Sequence, residues 1–267
     1  MNRKYAIVTG ASRGLGAALV RSLLDDDTRV IAVSRTRNER LVKLAADRGQ
    51  HLTWIPADLA DIPTIGRVWD RIRSSIDSAA ATEILLVGNA ATPAPVGLTG
   101  ATAPDDQSTA VLESAIDLNV TAPIALTQQF VAHFGPRAAL PACTRRTIIH
   151  ISSGASGRVM PGLATYSASK AGVNMFVRAA AEECEILHRR GAIEPVRILA
   201  ISPGLVDTEM QETLRSTDAA LLPGQEDYIQ WRTEGRLKPP EEVVPRILAL
   251  VHEDLPESGA YRHYDEL

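Results

Sequence analysis

Apolar residues along the chain fall into six short runs, separated by segments in which apolar residues recur at helical spacing. The hydrophobicity of the runs is continuous rather than alternating, which is typical of strands covered on both faces, as in a parallel sheet. The intervening segments carry the spacing of amphipathic helices. The pattern predicts βαβ units and a doubly wound α/β fold. The runs are residues 5–10, 29–34, 52–59, 83–90, 147–152 and 196–202, and the helical segments include 16–26, 108–134 and 168–187.

Two segments depart from this alternation. Residues 91–108 are rich in Pro, Gly and Thr and are predicted to form a loop after the fourth strand. Residues 207–242 mix short helical pieces with turn residues, and long insertions at the carboxyl edge of such a sheet commonly close over a ligand. Because no linker, repeat or low-complexity tract interrupts the chain, we expect one domain over residues 1–267, with a substrate lid at about 207–242.

Composition and charge argue against several classes of function. The formal net charge is −4 and charged residues are scattered, which gives no reason to expect binding to nucleic acid or to an anionic membrane. Cys143 and Cys184 are the only cysteines, too few for a disulfide framework or a metal cluster. We therefore expect reduced thiols and no metal.

The termini and the hydropathy profile bear on localisation. No apolar stretch is expected to reach the length of a transmembrane helix. Residues 1–10 pass from two basic residues into an apolar run too short for the core of a signal peptide, so we expect a first strand and a cytoplasmic protein. Residues 264–267, Tyr-Asp-Glu-Leu, resemble a variant of an endoplasmic-reticulum retrieval tail, which we attribute to chance without a signal peptide.

The glycine-rich stretch Thr-Gly-Ala-Ser-Arg-Gly-Leu-Gly, residues 9–16, follows the first predicted strand and opens a helix. Gly10 permits the turn, Gly14 allows backbone N–H groups to approach a pyrophosphate, and Gly16 allows close packing of helix on strand. Three glycines alone are weak evidence. Their position in the first βαβ unit predicts a dinucleotide site.

The end of the second strand indicates which dinucleotide is bound. Folds that take NAD usually place an acidic residue there for the ribose 2′-hydroxyl, whereas this chain has Ser34 and Arg35. Arg35 with Arg13 can clamp a 2′-phosphate, which favours NADPH, unless both are merely solvated surface arginines. Asp58 and Leu59, at the end of the third strand, are expected to meet the adenine amino group and ring.

Tyr166 and Lys170 lie four residues apart in a predicted helix. Residues at this spacing share a helix face, so the ammonium group can lie near the ring and lower the pKa of the phenol. A tyrosine with a lowered pKa is a usable acid. For an isolated pair of this kind, a half-buried aromatic beside a lysine that reaches solvent is the more common explanation.

With these residues, the chain resembles the short-chain dehydrogenase/reductase family over essentially its whole length. Seven motifs occur in the family's order, at residues 9–16, 57–59, 88–91, 118–123, 151–156, 166–170 and 202–208. The resemblance implies a Rossmann-type domain with a mostly parallel seven-stranded sheet and helices on both faces. One motif departs from the family pattern, because Gly88 and Ala91 flank the retained Asn89 and Ala90.

The resemblance also implies a catalytic set. Tyr166 would protonate the substrate carbonyl, Lys170 would lower its pKa and bind the nicotinamide ribose, and Ser153 would orient the carbonyl. Asn119 would hold a water in a proton relay and kink its helix. The alternatives are a turn serine for Ser153 and a satisfied helix asparagine for Asn119. Cofactor contacts are predicted for Gly10, Ser12, Arg13, Gly14, Leu15, Gly16, Ser34, Arg35, Thr36, Asp58, Leu59, Asn89, Ala90, Tyr166, Lys170, Pro203, Gly204, Val206 and Thr208.

Within the family, the chain most resembles the sepiapterin reductase branch and its microbial relatives that reduce benzil and other vicinal diketones. The similar stretches are 33–41, 206–215, 234–248 and 257–267. Sepiapterin reductases anchor the pterin with an aspartate near the end of the chain, where this sequence has His263, with Asp265 two residues later. A neutral imidazole cannot replace that charge, so a diketone or aromatic ketone is favoured. His263 is equally explained as a solvent-exposed residue.

We therefore expect an NADPH-dependent carbonyl reductase acting on a ketone or vicinal diketone. The alternatives are a sepiapterin reductase, a 3-oxoacyl thioester reductase, and a non-catalytic NADPH-sensing module. Family members commonly pair through the helices that carry Asn119 and Tyr166, so a homodimer or homotetramer is expected. Six lid residues are expected either to line an apolar pocket beside Tyr166 or to form the packing face of a short helix, namely Met210, Leu214, Leu221, Leu222, Tyr228 and Trp231.

Overall fold

The computed structural model describes residues 3–25, 27–101, 106–252 and 257–266. Its strands are β1 (Arg3–Thr9), β2 (Thr28–Ser34), β3 (Leu52–Pro56), β4 (Ala81–Gly88), β5 (Arg145–Ile151), β6 (Arg197–Ser202) and β7 (Tyr261–His263). Its α-helices are α1 (Gly14–Leu23), α2 (Glu39–Asp47), α3 (Ile65–Ser74), α4 (Asp106–Ile116), α5 (Ala122–Phe134), α6 (Ala164–Arg189), α7 (Glu209–Ser216), α8 (Gln225–Thr233) and α9 (Pro240–His252).

The seven strands form one sheet in the order β3-β2-β1-β4-β5-β6-β7, and every pairing is parallel. The strand order reverses between β1 and β4, and ligands of such sheets bind at this switch point, beyond the carboxyl ends of the strands. The predicted doubly wound fold is confirmed. The six predicted runs correspond to β1–β6, although the third and fourth strands end earlier than expected, at Pro56 and Gly88.

Alternate residues of the central strands enter two different hydrophobic cores. On β1, Tyr5 and Ile7 pack in one core with α3, α5 and α6, whereas Ala6 and Val8 pack in the other with α1, α2 and α9. Both faces of the sheet are therefore covered by helices. This double burial is the reason for the continuous hydrophobicity of the strands.

The helical run Ser108–Phe134 is long and apolar enough, by length and composition, to cross a membrane, with a mean hydropathy of 1.2. The expectation that no stretch reaches that length is therefore wrong. In this structure the run is one of the helices that cover the sheet, because Leu126, Phe130 and Phe134 are buried in the core. Only 22% of its most apolar stretch is buried, and the exposed residues of the run lie mainly in α4.

A π-helical turn, Asp117–Thr121, joins α4 to α5 within this run. The N–H of Ala122 bonds to the carbonyl of Asp117, five residues earlier, instead of the usual four. Asn119, where a kink is expected, lies within this π turn.

The predicted lid contains α7 and α8, which pack on each other. A strand-like bridge pairs Val206, before α7, with Lys238, after α8. The segment 207–242 ends inside the first turn of α9. A third, smaller hydrophobic cluster lies between the lid and α6. Its buried members are Ala155, Leu163, Tyr166, Leu214, Leu222 and Tyr228.

Candidate active site

A cleft of about 1000 Å³ lies at the carboxyl ends of the strands, around the switch point between β1 and β4. It is bordered by the glycine-rich loop, the ends of β2, β3 and β5, the loop after β4, and the segment that leads from β6 into α7. Every residue predicted to contact the cofactor lines this cleft except Gly16. The structure therefore brings together residues that are distributed over nearly the whole sequence.

Close backbone packing explains two of the loop glycines. Gly10 has a φ of +64°, and a Cβ on it would lie 2.8 Å from the Cα of Ala90. A Cβ on Gly16 would lie 2.1 Å from the carbonyl oxygen of Gly10. Gly16 thus sits behind the loop, where it allows α1 to pack against it, and does not line the cleft.

Thr9 and Asn89 join the glycine-rich loop to the end of β4. The Thr9 Oγ1 accepts hydrogen bonds from the backbone N–H groups of Asn89, at 2.9 Å, and Ala90, at 3.1 Å. The Asn89 side-chain amide donates to the carbonyls of Thr9, at 3.1 Å, and Gly10, at 3.3 Å. The retained Asn-Ala pair therefore shapes the loop. The role of Thr9 in shaping the loop was not predicted, because its hydrogen bonds reach residues about eighty positions away.

The departure at Gly88 has a structural cause. Gly88 lies beside His150 on the neighbouring strand, and a Cβ on Gly88 would lie 2.5 Å from the Nδ1 of that imidazole. His150 is 1% exposed and its Nε2 is 2.9 Å from the Thr127 Oγ1. Burial, and to a smaller extent the charge of Lys170, lower the pKa of His150 to about 4. Glycine at this position therefore accommodates a buried neutral histidine.

Both arginines of the predicted phosphate clamp line the cleft, and both are paired with carboxylates. Arg35 lies 3.8 Å from Asp58, and Arg13 pairs with Glu209 at the start of α7. All four side chains are about half exposed or more. The second strand ends without an acidic residue, as the sequence indicates, but the fold brings two carboxylates to the arginines from β3 and from the lid.

Tyr166, Lys170 and Ser153 border the cleft together. Tyr166 and Lys170 project from one face of α6, and Ser153 follows β5 as the N-cap of a short turn, where its Oγ accepts from the N–H of Ala155 at 3.1 Å. A side-chain hydrogen bond with Ser153 is one of the influences on the pKa of the Tyr166 phenol. The cleft is thus lined by a phenol and by a serine hydroxyl that acts on it.

The lowered pKa expected for Tyr166 is not found. Burial raises the pKa of the phenol, and the hydrogen bond with Ser153 acts in the opposite direction. The Lys170 Nζ donates to the carbonyl of Ile151 at 2.8 Å and lies 5.8 Å from the centre of the Tyr166 ring. Burial lowers the pKa of Lys170 to about 8. The prediction did not allow for the burial of both groups, which disfavours the charged form of each.

Asn119 lies behind the cleft. Its side-chain amide donates to the carbonyl of Thr92 at 2.8 Å and to the Ser169 Oγ at 3.2 Å, and its Oδ1 accepts from the N–H of Thr92 at 2.9 Å. Ser169 in turn donates to the carbonyl of Tyr166 at 2.7 Å. The Asn119 side chain therefore ties the loop after β4 to the turn of α6 that carries Tyr166. These contacts are all to protein groups, so the water-holding role of Asn119 stays a prediction.

A second polar network, not predicted, supports Ser153. The Ser152 Oγ donates to the Asn174 Oδ1 at 2.7 Å, the Asn174 amide donates to the Ser156 Oγ at 2.9 Å, and Ser156 donates to the carbonyl of Ser153 at 2.7 Å. The signal for it is the spacing of Asn174, four residues after Lys170 on the same face of α6. The network holds the end of β5 against α6.

The six apolar lid residues are mainly a packing surface. Leu214, Leu222 and Tyr228 are buried in one cluster with Tyr166, while Met210 and Trp231 pack against that cluster. Leu221 lies apart, and its backbone approaches Gly162. Of these six residues only Met210 lines the cleft. Both alternatives stated for the lid are thus realised in part, since the packed face itself surrounds Tyr166.

The end of the chain reaches the back of the site. The Tyr261 hydroxyl donates to the carbonyl of Ser153 at 3.4 Å, and His263 lies against Gly204 with its Nδ1 3.3 Å from the Asp265 Oδ2. Neither His263 nor Asp265 lines the cleft as it is formed by the described residues. His263 is partly buried, with 28% of its side chain exposed, so it is not the solvent-exposed residue of the alternative interpretation.

Comparison with known proteins places the chain among oxidoreductases. A family model described as short chain dehydrogenase matches residues 4–219. Benzil reductase ((S)-benzoin forming) of Bacillus cereus is 34% identical over 261 residues, which cover 97% of this chain and 98% of that protein. The benzil reductase of Bacillus subtilis (strain 168) is 30% identical, with 96% of each chain covered. Sepiapterin reductase of Bos taurus is 28% identical over 276 residues, covering 100% of this chain and 96% of that one.

Solved structures share the fold. The crystal structure of the KRED1-Pglu enzyme matches with a TM-score of 0.78 at 25% identity, covering 97% of this chain and 100% of that one. A short chain dehydrogenase from Burkholderia cenocepacia J2315 in complex with NADP has a TM-score of 0.71 at 23% identity, with 98% and 96% covered. The 3-oxoacyl-[acyl-carrier protein] reductase from Brucella melitensis in complex with NAD has a TM-score of 0.78 at 21% identity, with 99% and 96% covered. The shared fold thus occurs with either dinucleotide.

Proposed function

The chain belongs to the short-chain dehydrogenase family, and from that premise we propose that it is an NADPH-dependent carbonyl reductase acting on ketones or vicinal diketones such as benzil. The observation that carries this proposal is the buried Tyr166 phenol, which borders the cleft together with Ser153 and Lys170 where the cleft meets an apolar cluster. A proton donor with apolar surroundings suits the reduction of an uncharged aromatic carbonyl.

The residues present fit a dinucleotide. Close packing at Gly10 and Gly16 keeps the loop backbone beside a cleft of about 1000 Å³, which Arg35 borders after β2 and Lys170 borders beside the end of β5. The bound reduced dinucleotide supplies the hydride. The glycine loop and the start of α1 would hold its pyrophosphate, and Lys170 would bind the nicotinamide ribose.

The proton is supplied by Tyr166 in this proposal. Its raised pKa keeps the phenol protonated at neutral pH, so it is ready to donate to the carbonyl oxygen, while the Ser153 hydroxyl donates a hydrogen bond to the same oxygen. An amine with a pKa of about 8 is mostly protonated at pH 7, so the Lys170 ammonium would stabilise the phenolate that remains. The second network, through Asn174 and Ser156, would keep Ser153 in place.

The preference for NADPH is inferred from charge. Arg13 and Arg35 both border the cleft, each in an exposed ion pair. Exposed pairs of this kind contribute roughly 0–1 kcal/mol, so a 2′-phosphate that makes bidentate contacts can replace the carboxylates. Structures of the same fold have been solved with NADP and with NAD, so the fold alone does not determine the preference. The argument for NADPH therefore depends on the residues of this chain.

The choice of substrate rests on the apolar cluster and on the relatives. Two benzil reductases are at least 30% identical over nearly their whole length. Reduction of sepiapterin is the second candidate, supported by the full-length similarity to sepiapterin reductase, but His263 replaces the expected pterin-binding aspartate and lies outside the cleft. Because Asn119, Ser153, Tyr166 and Lys170 are all present, catalysis is favoured over a purely sensing role.

The proposal includes a cytoplasmic homodimer or homotetramer. Exposed apolar side chains lie on α4 and α6, where Val111 is 40%, Leu112 41% and Met175 60% exposed. Apolar residues on adjoining helices are suited to contact with a second copy. The chain would then act as one dinucleotide-binding domain with its lid at 207–242.

The test is an assay of NADPH consumption with benzil, an aromatic monoketone and sepiapterin as parallel substrates, each repeated with NADH. We expect benzil with NADPH to be turned over and Tyr166→Phe to lose about a thousandfold or more in kcat. Tyr5→Phe is the matched control, since that hydroxyl lies at the other end of β1 and bonds to Asp77. Faster turnover of sepiapterin than of benzil would contradict the diketone assignment, and full activity in Tyr166→Phe would contradict the acid.

A further inference from the structure

A buried tyrosine hydroxyl in the lid lacks a hydrogen-bond partner within the described part of the chain. Tyr228 of α8 is 3% exposed, and its hydroxyl oxygen is buried without a donor or acceptor. Buried polar groups are nearly always hydrogen-bonded, so each exception calls for an explanation. A hydroxyl kept in an apolar cluster is explained if a ligand completes its hydrogen bonding.

The hydroxyl belongs to the cluster that surrounds Tyr166. The two tyrosines are buried together with Ala155 and Leu163, and the ring of Tyr228 packs edge-to-face on Trp231 with centroids 4.9 Å apart. This packing limits the positions that the Tyr228 ring can take. The lid therefore presents a second phenol near the first.

The polar groups near Tyr228 favour its role as a donor. Burial raises the pKa of Tyr228 to about 12, with smaller contributions from Tyr166 and Asp227 in the same direction and an opposing one from Arg158. The phenol therefore stays protonated over the working range of pH. The Arg158 Nη2 lies beside Gly154, 2.6 Å from where a Cβ would stand, next to Ser153. A protonated hydroxyl that lacks a partner suits a substrate with a second acceptor oxygen.

Tyr228 does not line the cleft itself but lies behind its lining, in the cluster that surrounds Tyr166. We propose that Tyr228 is a specificity-determining residue that donates a hydrogen bond to the second oxygen of a vicinal diketone when the substrate enters that cluster, while Tyr166 and Ser153 bind the oxygen that is reduced. This inference rests on the proposed function. Hydride adds to the first carbonyl carbon and the Tyr166 proton to its oxygen, which gives an α-hydroxy ketone. The second carbonyl accepts the Tyr228 hydrogen bond throughout and is not reduced.

The experiment compares Tyr228→Phe with the wild type on two ketones that carry the same rings, benzil and deoxybenzoin, of which only benzil has the second oxygen. We expect kcat/KM for benzil to fall by about tenfold in the variant, and kcat/KM for deoxybenzoin to change by less than about twofold. The readout is the ratio of the two fold-changes in kcat/KM, one for benzil and one for deoxybenzoin. The greater intrinsic reactivity of benzil affects the wild type and the variant equally and therefore cancels in this ratio. Tyr5→Phe again serves as the control and should leave both values unchanged.

Other outcomes would overturn the inference. Equal losses for both ketones would mean that Tyr228 supports the site in general, and no loss for either would mean that it does not contact the substrate. The thermal midpoint of Tyr228→Phe provides a separate check. If the Tyr228 hydroxyl has no partner in the protein, the thermal midpoint of Tyr228→Phe should equal or exceed that of the wild type. A clearly lower midpoint would show that the hydroxyl has a partner within the protein. If the wild type binds NADPH but reduces neither ketone, the proposed function fails first and this inference with it.

Discussion

Two regions border the same cleft but are held together by different kinds of contact. Around the glycine-rich loop the contacts are between backbone segments. For example, a Cβ on Gly16 would lie 2.1 Å from the carbonyl oxygen of Gly10. In the lid, α7 and α8 are held mainly by side chains such as Leu222 and Tyr228, which pack around Tyr166. The first region allows few alternatives to glycine, whereas many apolar residues can fill a cluster of the second kind.

This difference explains which region a sequence motif can describe. A backbone contact permits one residue type, so the loop has a recognisable sequence. A packed cluster requires only apolar character and volume, so the lid residues were open to two interpretations before the structure. The loop is therefore suited to a constant task, the binding of the dinucleotide, and the lid to the choice of substrate. The predictions below test this division of roles.

The largest effect on binding is expected in the loop, from Gly16→Ala. The added methyl group cannot fit against the Gly10 carbonyl unless the loop moves away from α1. We expect NADPH to bind about a hundredfold more weakly, which corresponds to the upper end of the usual cost of overpacking. A fluorescence titration with NADPH measures this. Gly66→Ala is the matched control, because a Cβ on Gly66 in α3 would have nothing within 4 Å, and binding by that variant should not change.

The second prediction concerns the pH dependence set by His150, beside Gly88. Its pKa is about 4 in the folded protein, against 6.5 for an exposed histidine. Between these values the unfolded chain binds more protons, so the free energy of unfolding falls as the pH is lowered from about 6.5 to about 4. The contribution is present in full above pH 6.5, and its loss amounts to about 3 kcal/mol. Thermal unfolding as a function of pH measures it.

The matched variant for this prediction is His150→Gln, whose side-chain amide can still bond to Thr127 but does not titrate. Its thermal midpoint should fall less steeply than that of the wild type over the same interval of pH. Equal slopes in the two proteins would mean that groups other than His150 control unfolding in acid.

A smaller effect is expected in the lid, from Leu222→Ala. Leu222 is 1% exposed and lies in the cluster with Tyr166, so its truncation leaves a gap in the wall on the substrate side. We expect kcat/KM for benzil to fall by about tenfold while KM for NADPH is unchanged, since the lid can relax around part of the lost contacts. Ile229→Ala, at a position of α8 that is 44% exposed, should change neither value. A rise in KM for NADPH in Leu222→Ala would contradict the separation of the two regions.

The sequence predicts the parts of this site that depend on local patterns. Continuous apolar runs located β1–β6, the spacing of four residues singled out Tyr166 and Lys170, and the family resemblance singled out Ser153. β7 was not located because it is three residues long and contains Arg262 and His263. Its position results from pairing with β6, more than fifty residues earlier, and a local pattern does not encode such a contact.

Contacts between distant residues account for the remaining differences. The roles of Thr9 and Asn174 depend on partners supplied by other elements, and the pairing of Arg13 with Glu209 joins residues 196 positions apart. The direction of the Tyr166 pKa shift also follows from burial, which exceeds the effect expected from the neighbouring Lys170. Each of these properties belongs to the assembled cleft and not to a segment of the chain.

The smallest effect is expected where the two regions meet, from Glu209→Gln. Glu209, the first residue of α7, pairs with Arg13 of the glycine-rich loop, and both side chains are more than half exposed. If Arg13 binds the 2′-phosphate, removal of the competing carboxylate charge should strengthen NADPH binding by about two- to fivefold and leave NADH binding unchanged. The gain should shrink at high salt, because exposed charges are screened. Glu212→Gln removes the same charge from an exposed position of the same helix, so it controls for the overall field. An equal gain in both variants, or an equal gain for NADH, would show that Arg13 does not distinguish the two dinucleotides and that the lid influences the cofactor only through its net charge.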